Sequence, residues 1–167
     1  MLPWLNEMRA LTPASLLFRL FLSVLFGGLI GLKGTRKQRA AGFRTYMLVC
    51  MGAALTMLLS QYSADMIRTQ WAGAAELAVP PLRVDISRYS AKVMSGIGFL
   101  GAGCIILSGR REVKGVTTAV GLSAAACMGV AIGAGFYEGA VIGFLLLAAS
   151  IWLLPLVESA LSTVPET

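Results

Sequence analysis

Residues 115–136 read GVTTAVGLSAAACMGVAIGAGF, 22 residues without a charge. A helix of about 20 residues crosses the roughly 30 Å hydrocarbon core of a bilayer. The run is also rich in Gly, Ala, Ser and Thr, the small residues that let membrane helices approach closely. It reads as a membrane helix packed among others. Working outward, similar apolar runs extend from Ala14 to Leu32, from Thr45 to about Ser63, from about Ala91 to Leu107, and from Gly139 to Val157. No water reaches the bilayer core to satisfy open peptide groups, so these spans must be helices. The fold class is therefore all-α, a polytopic membrane protein with five transmembrane helices. Arg19 interrupts the first span and Lys92 stands at the mouth of the third. Both lie near span ends, where a long cationic side chain reaches the headgroups.

Composition agrees. Of 167 residues, 57% are hydrophobic and 13% charged, and none is histidine. Soluble domains carry about 25% charged residues. The expected organisation is a transmembrane domain over 1–157 and a short cytoplasmic tail over 158–167, with no soluble C-terminal domain. The first span lacks a basic leader and runs through Gly31-Leu32-Lys33 into a basic stretch instead of a cleavage site. It is expected to be retained. Without histidine there is no Ser-His or Cys-His nucleophile pair and no imidazole metal site. Cys50, Cys104 and Cys127 fall in three different apolar spans and read as small packing residues. No carboxylate pair has spacing suited to acid–base chemistry. The chain is read as a non-enzyme with no catalytic residues, no metal and no cofactor.

The charges set an orientation. Lys33, Arg36, Lys37, Arg39 and Arg44 cluster between the first two spans, and Arg110, Arg111 and Lys114 between the third and fourth. With alternating spans these loops share a side, and the positive-inside rule makes it cytoplasmic. The N-terminus is then outside and the C-terminus inside. The net charge of +6 marks that face and its attraction to anionic lipid; no nucleic-acid partner is expected. Between the second and third spans, Pro80-Pro81 divides an outer segment. The stretch around Met66, Ile67 and Trp71 is expected to lie flat on the membrane as a short helix.

Glycine serves two expected uses. Gly27 and Gly31, and again Gly129 and Gly133, stand four residues apart, which places each pair on one helix face for close packing. Gly96, Gly98, Gly101 and Gly103 are spaced two, three, two and do not share a face. That segment is either locally irregular, lining a substrate or ion path, or a central helix touched on all sides. It matches G-x-G-x-x-G, but no strand–helix–strand pattern surrounds it, so it is not a dinucleotide site. The remaining candidates are polar groups at or near span ends: Arg44, Thr45, Asp85, Arg88, Ser95, Thr117 and Thr118. Asp85 or Ser87 is placed to cap the third helix.

Together these residues carry a resemblance. Ala41-Gly42-Phe43-Arg44-Thr45, Asp85-Ile86-Ser87-Arg88, Ser95 through Gly103 (SGIGFLGAG) and Val113 through Ala119 (VKGVTTA) stand in order along the chain. They resemble the A-G-L-R-T, D-x-S-R, S-G-I-G-F-L-G-A-G and V-R-G-L-T-T-A motifs of the MgtC/SapB family. The resemblance covers roughly residues 20 to 140. It implies a bacterial inner-membrane protein with a five-span domain, linked to survival in low magnesium, acid stress and growth inside macrophages. It implies a regulatory role through a membrane-protein partner, in the best-known member the ATP synthase. A homo-oligomer, and an ion transporter or channel lined by the third helix, are the alternative. Three departures from the pattern stand out: Lys33-Gly34 replaces Glu-Arg, Lys92 replaces a glutamine and Ser123 replaces a tryptophan. The expected ranking of damage places Gly98→Leu and Gly101→Leu above Gly73→Leu, on the premise that both lie in the packed core; complementation at matched expression reads it.

Overall fold

The computed structural model describes residues 11–35, 41–71, 73, 85–106 and 115–153. The described residues form five helices: α1 Pro13–Thr35, α2 Phe43–Thr69, α3 Ile86–Ile106, α4 Val116–Gly133 and α5 Tyr137–Trp152. Three of them (α1 over Pro13–Leu32, α2 and α4) are long and apolar enough to cross a membrane. α5 is apolar but shorter over its described residues. The first two turns of α3 carry Ser87, Arg88, Tyr89, Ser90 and Lys92, which dilutes its apolar run. The basic residues 36–39 and 110–114, Glu76, Pro80-Pro81 and the 158–167 tail lie outside the described residues.

Local signals fix the helix ends. Thr12 and Ser15 cap α1 reciprocally: the Ser15 N–H donates to Thr12 Oγ1 at 3.4 Å and the Thr12 N–H to Ser15 Oγ at 3.2 Å. Pro13, lacking an N–H, suits the first helical position between them. α4 ends in a Schellman turn. The Gly135 N–H donates to the Ile132 carbonyl and the Phe136 N–H to the Ala131 carbonyl, both at 3.0 Å. Gly135 has φ 78° there, a conformation that favours glycine. α2 does not stop near Ser63 but continues through Met66 and Ile67 to Thr69. No Gly or Pro breaks that stretch, so the separate flat helix expected there is instead the last turns of a helix about 40 Å long.

Contacts set the topology. Gly27 of α1 meets Cys50 of α2, and Arg19 meets Gln61, so α1 and α2 are antiparallel. Gly101 of α3 meets Ala119 of α4, and Met94 meets Cys127, so α3 and α4 are antiparallel. α2 and α4 are parallel neighbours, with Tyr46 near Gly121 and Ala54 near Gly133. α5 returns beside α4 and touches α1, where Phe26 and Phe144 stack with ring centroids 4.7 Å apart.

The core is a seam on both sides of α2. A Cβ at Gly27 would stand 2.7 Å from both the Cys50 Cβ and the Tyr46 carbonyl oxygen; one at Gly31, 3.0 Å from the Phe43 Cα. On the α4 side a Cβ at Gly133 would stand 2.6 Å from the Ala54 carbonyl oxygen. One at Gly129 would overlap the Cys50 carbonyl and stand 2.8 Å from the Ala53 Cβ. Both glycine pairs thus bring backbone against backbone, where dispersion contacts accumulate. Cys50, Ala54, Ala125, Ala126 and Ile132 are fully buried along it.

The Gly96–Gly103 segment differs from both structural expectations, local irregularity and contact on all sides. It is a regular part of α3, and it is not touched on all sides. A Cβ at Gly96, Gly98 or Gly103 would meet nothing within 4 Å; only Gly101 packs, at 3.4 Å from the Ala119 Cβ. The reason is position: α3 lies at the edge of the bundle, against α2 and α4. Gly98 is therefore not a core residue. Gly129→Ala is expected to destabilise the protein by about 1–3 kcal/mol through overpacking. Gly98→Ala is expected to cause no loss, since alanine favours helix over glycine. Equilibrium unfolding in detergent micelles compares them, and the reverse ranking contradicts the seam.

Candidate functional site

Every fourth residue of α1 from Ser15 is polar or glycine: Ser15, Arg19, Ser23, Gly27, Gly31. A four-residue step stays on one helix face, and all five are buried. Arg19 is only 1% exposed. It does not extend to the headgroups, as its position near a span end had led one to expect. Its guanidinium turns inward because acceptors wait there. Arg19 Nε donates to Tyr137 Oη at 3.1 Å, and Nη1 donates to Gln61 Oε1 and to the Gly133 carbonyl, each at 3.0 Å.

The Gly133 carbonyl is an acceptor for a specific reason. The last turn of a helix leaves carbonyls without intrahelical partners and forms the negative end of the helix dipole. Arg19 brings a cation and a donor to that end of α4. Gln61 supplies a second donor, from Nε2 to the Ala134 carbonyl at 3.1 Å. Tyr137 is held by an edge-on contact with Phe18, ring centroids 6.0 Å apart. Four helices therefore meet at one guanidinium: α1 provides it, and α2, α4 and α5 receive it. Nearby on the same stripe, Ser23 Oγ donates to the Leu20 carbonyl at 2.7 Å. In α2, Ser60 Oγ is buried without a hydrogen-bond partner among the described residues.

The residues singled out from the sequence do not converge. Arg44, Thr45 and Thr117 are exposed at the end of the bundle formed by the starts of α2 and α4. Thr118 is buried there, and its carbonyl accepts from Tyr46 Oη at 3.4 Å. The close approach of Tyr46 requires Gly121, where a Cβ would stand 2.5 Å from Tyr46 Oη. Asp85 and Arg88 lie at the opposite end, at the start of α3, both exposed. Ser95 and Gly98 face outward partway along α3, so Arg44, Asp85 and Arg88 form no common site.

Asp85 is the cap of α3. Its Oδ1 accepts from the Ser87 N–H at 3.0 Å and from Ser87 Oγ at 2.5 Å, and Arg88 Nε lies 4.0 Å from Oδ2. The bonds from Ser87, then the Arg88 charge, hold its carboxyl below the ordinary aspartate value. Among the described residues no group of three or more Cys, Asp or Glu is placed to hold a metal. What the arrangement offers chemically is a set of donors and acceptors joined across helices.

Arg19→Met is expected to cost about 1–3 kcal/mol, because it leaves the Gly133 carbonyl and Gln61 without their donor. Tyr137→Phe removes the bond from Arg19 Nε and leaves both Nη1 bonds in place, so it should cost less; unfolding in micelles ranks them, and equal losses would contradict the shared node. Asp85 has a folded value below its unfolded one, so its contribution is present above the unfolded value and lost as pH falls through the folded value. Protection of the Ser87 amide, its exchange relative to the intrinsic rate at each pH, should fall on acidification as Asp85 takes up a proton. In Asp85→Ala protection should be low at every pH; wild-type protection with the same pH profile as Asp85→Ala would contradict the cap.

Comparison with known proteins places this geometry. The family model described as the MgtC family matches residues 20–160. A protein of Escherichia coli K12 named "putative magnesium transporter YhiD" is 35% identical over 78% of this chain and 56% of its own length. Protein SapB of Bacillus subtilis is 30% identical over 84% of this chain and 56% of its own. Protein MgtC of Brucella abortus is 37% identical over 80% of this chain and 49% of its own. The chain spans about half the length of these curated relatives. No solved structure matches it. The apolar helices and the match over most of the chain identify it as a membrane protein of the MgtC family.

Proposed function

We propose that the chain is a regulatory protein of the bacterial inner membrane that acts by binding another membrane complex through the outer face of α3. The observation that carries this reading is the contrast between the two glycine groups. The seam glycines are consumed inside the bundle, whereas α3 turns Ser95, Gly98 and Ala102 outward beside Phe99, which is 81% exposed. Gly98 and Ala102 are four residues apart, a small-residue step that admits a partner helix closely. In this reading the basic loops lie in the cytoplasm and the N-terminus outside. The setting is adaptation to low magnesium or acid stress, and the ATP synthase is one candidate partner.

A second reading is a small oligomeric transporter or channel whose path is lined by α3. It draws on the printed name of the Escherichia coli relative. It needs several copies, because the interior of one copy is closed by the seam. Affinity capture of the full chain from mild detergent should recover a defined membrane complex, and Gly98→Leu should abolish that recovery while the helices stay folded. Recovery of self alone under several crosslinkers overturns the regulatory reading. Flux of Mg²⁺, K⁺ or H⁺ in liposomes supports the second reading, and no flux from correctly inserted protein overturns it.

A further inference from the structure

Between α2 and α3 runs an open groove of ≈ 380 Å³. Its floor is low because Gly52 and Gly96 carry no side chain, and a Cβ at either would meet nothing within 4 Å. Its walls are Leu48, Val49, Val93 and Leu100, and Lys92 and Thr56 line it at the same end. Thr56 Oγ1 donates its proton to the Gly52 carbonyl at 2.8 Å. Lys92 forms no ion pair among the described residues and is exposed. The ammonium is thus the free donor and the cation of an otherwise apolar groove.

We infer that this groove holds one acyl chain of an anionic glycerophospholipid, with the phosphate against Lys92. Shape favours a chain. From Leu48 to Thr56 the groove follows α2 for about 12 Å between apolar side chains, and its size falls within the range of small-ligand sites.

Depth and charge favour an anionic lipid. Lys92 lies about 9 Å along α3 from Ile86, and helical side chains lean toward the N-terminus. Its ammonium therefore reaches toward the membrane surface at the start of α3. Leu100 lies about 12 Å further along, toward the midplane. A lipid anchored at Lys92 would lay its chain along the groove in the direction that leaflet lipids take. The cation selects a headgroup with net negative charge over a zwitterionic one of equal chain length.

Native mass spectrometry of the full chain, released from detergent with phosphatidylglycerol or phosphatidylethanolamine of identical chains, tests this. The wild type should retain phosphatidylglycerol better, and Lys92→Gln should lower that preference about fivefold, the effect of one favourable cation near the surface. Lys92→Arg should keep it. Gly96→Phe should lower retention of both lipids, with helical content unchanged by circular dichroism; Gly52→Phe repeats the test from the other wall should Gly96→Phe misfold. Equal retention of both lipids by the wild type, an unchanged preference in Lys92→Gln, or a dimer crosslinked through the groove that excludes lipid would each overturn the inference. None of these outcomes bears on capture through Gly98, which faces away from the groove.

Discussion

The structure depends on the close approach of α2 to the helices on its two sides. Lipid is as apolar as leucine, so apolar side chains alone give membrane helices little reason to associate. Here the association comes from shape. Gly27 and Gly31 on α1, and Gly129 and Gly133 on α4, remove the side chains that would hold α2 away. Cys50 and Ala54 then lie fully buried, backbone close to backbone. Dispersion over that area replaces the hydrophobic effect as the source of packing.

The seam also explains the buried arginine. A charge in a membrane helix is costly unless it faces protein and is bonded there. Once α2 and α4 are drawn together, the end of α4 sits beside Gln61, and its free carbonyls form a negative terminus. Arg19 lies on the same stripe of α1 as Gly27 and Gly31, so the packing that seats the glycines also aims the guanidinium at that terminus. The cation and the helix end satisfy each other, and α5 joins through Tyr137.

Much of this was legible in the sequence. Apolar length gave the helices, and the four-residue glycine steps are the faces that pack. The end of α2 was not legible from hydropathy, because a helix leaving the membrane keeps its hydrogen bonds while its residues turn polar, as Asp65 and Arg68 do. Arg19 was misread by weighing its distance from the span end and not its stripe; Ser15, Arg19 and Ser23 at four-residue spacing carry the signal of an inward face. The packing of the glycine motif of α3 was misread for a different cause. Glycine tells that something comes close, but not whether the neighbour belongs to the same chain. Among the described residues nothing lies within 4 Å of a Cβ at Gly98 or Gly103, and that could only be seen once the edge position of α3 was known.

Inside and outside glycines are the central distinction, and solid-state NMR of the protein in bilayers measures it directly. With labelled molecules diluted among unlabelled ones, so that only intramolecular contacts report, Gly27 and Gly129 should both show short-range cross-peaks to Cys50. Gly98 should show none to α2 or α4. Missing seam cross-peaks, or intramolecular cross-peaks from Gly98 to α4, would contradict the account.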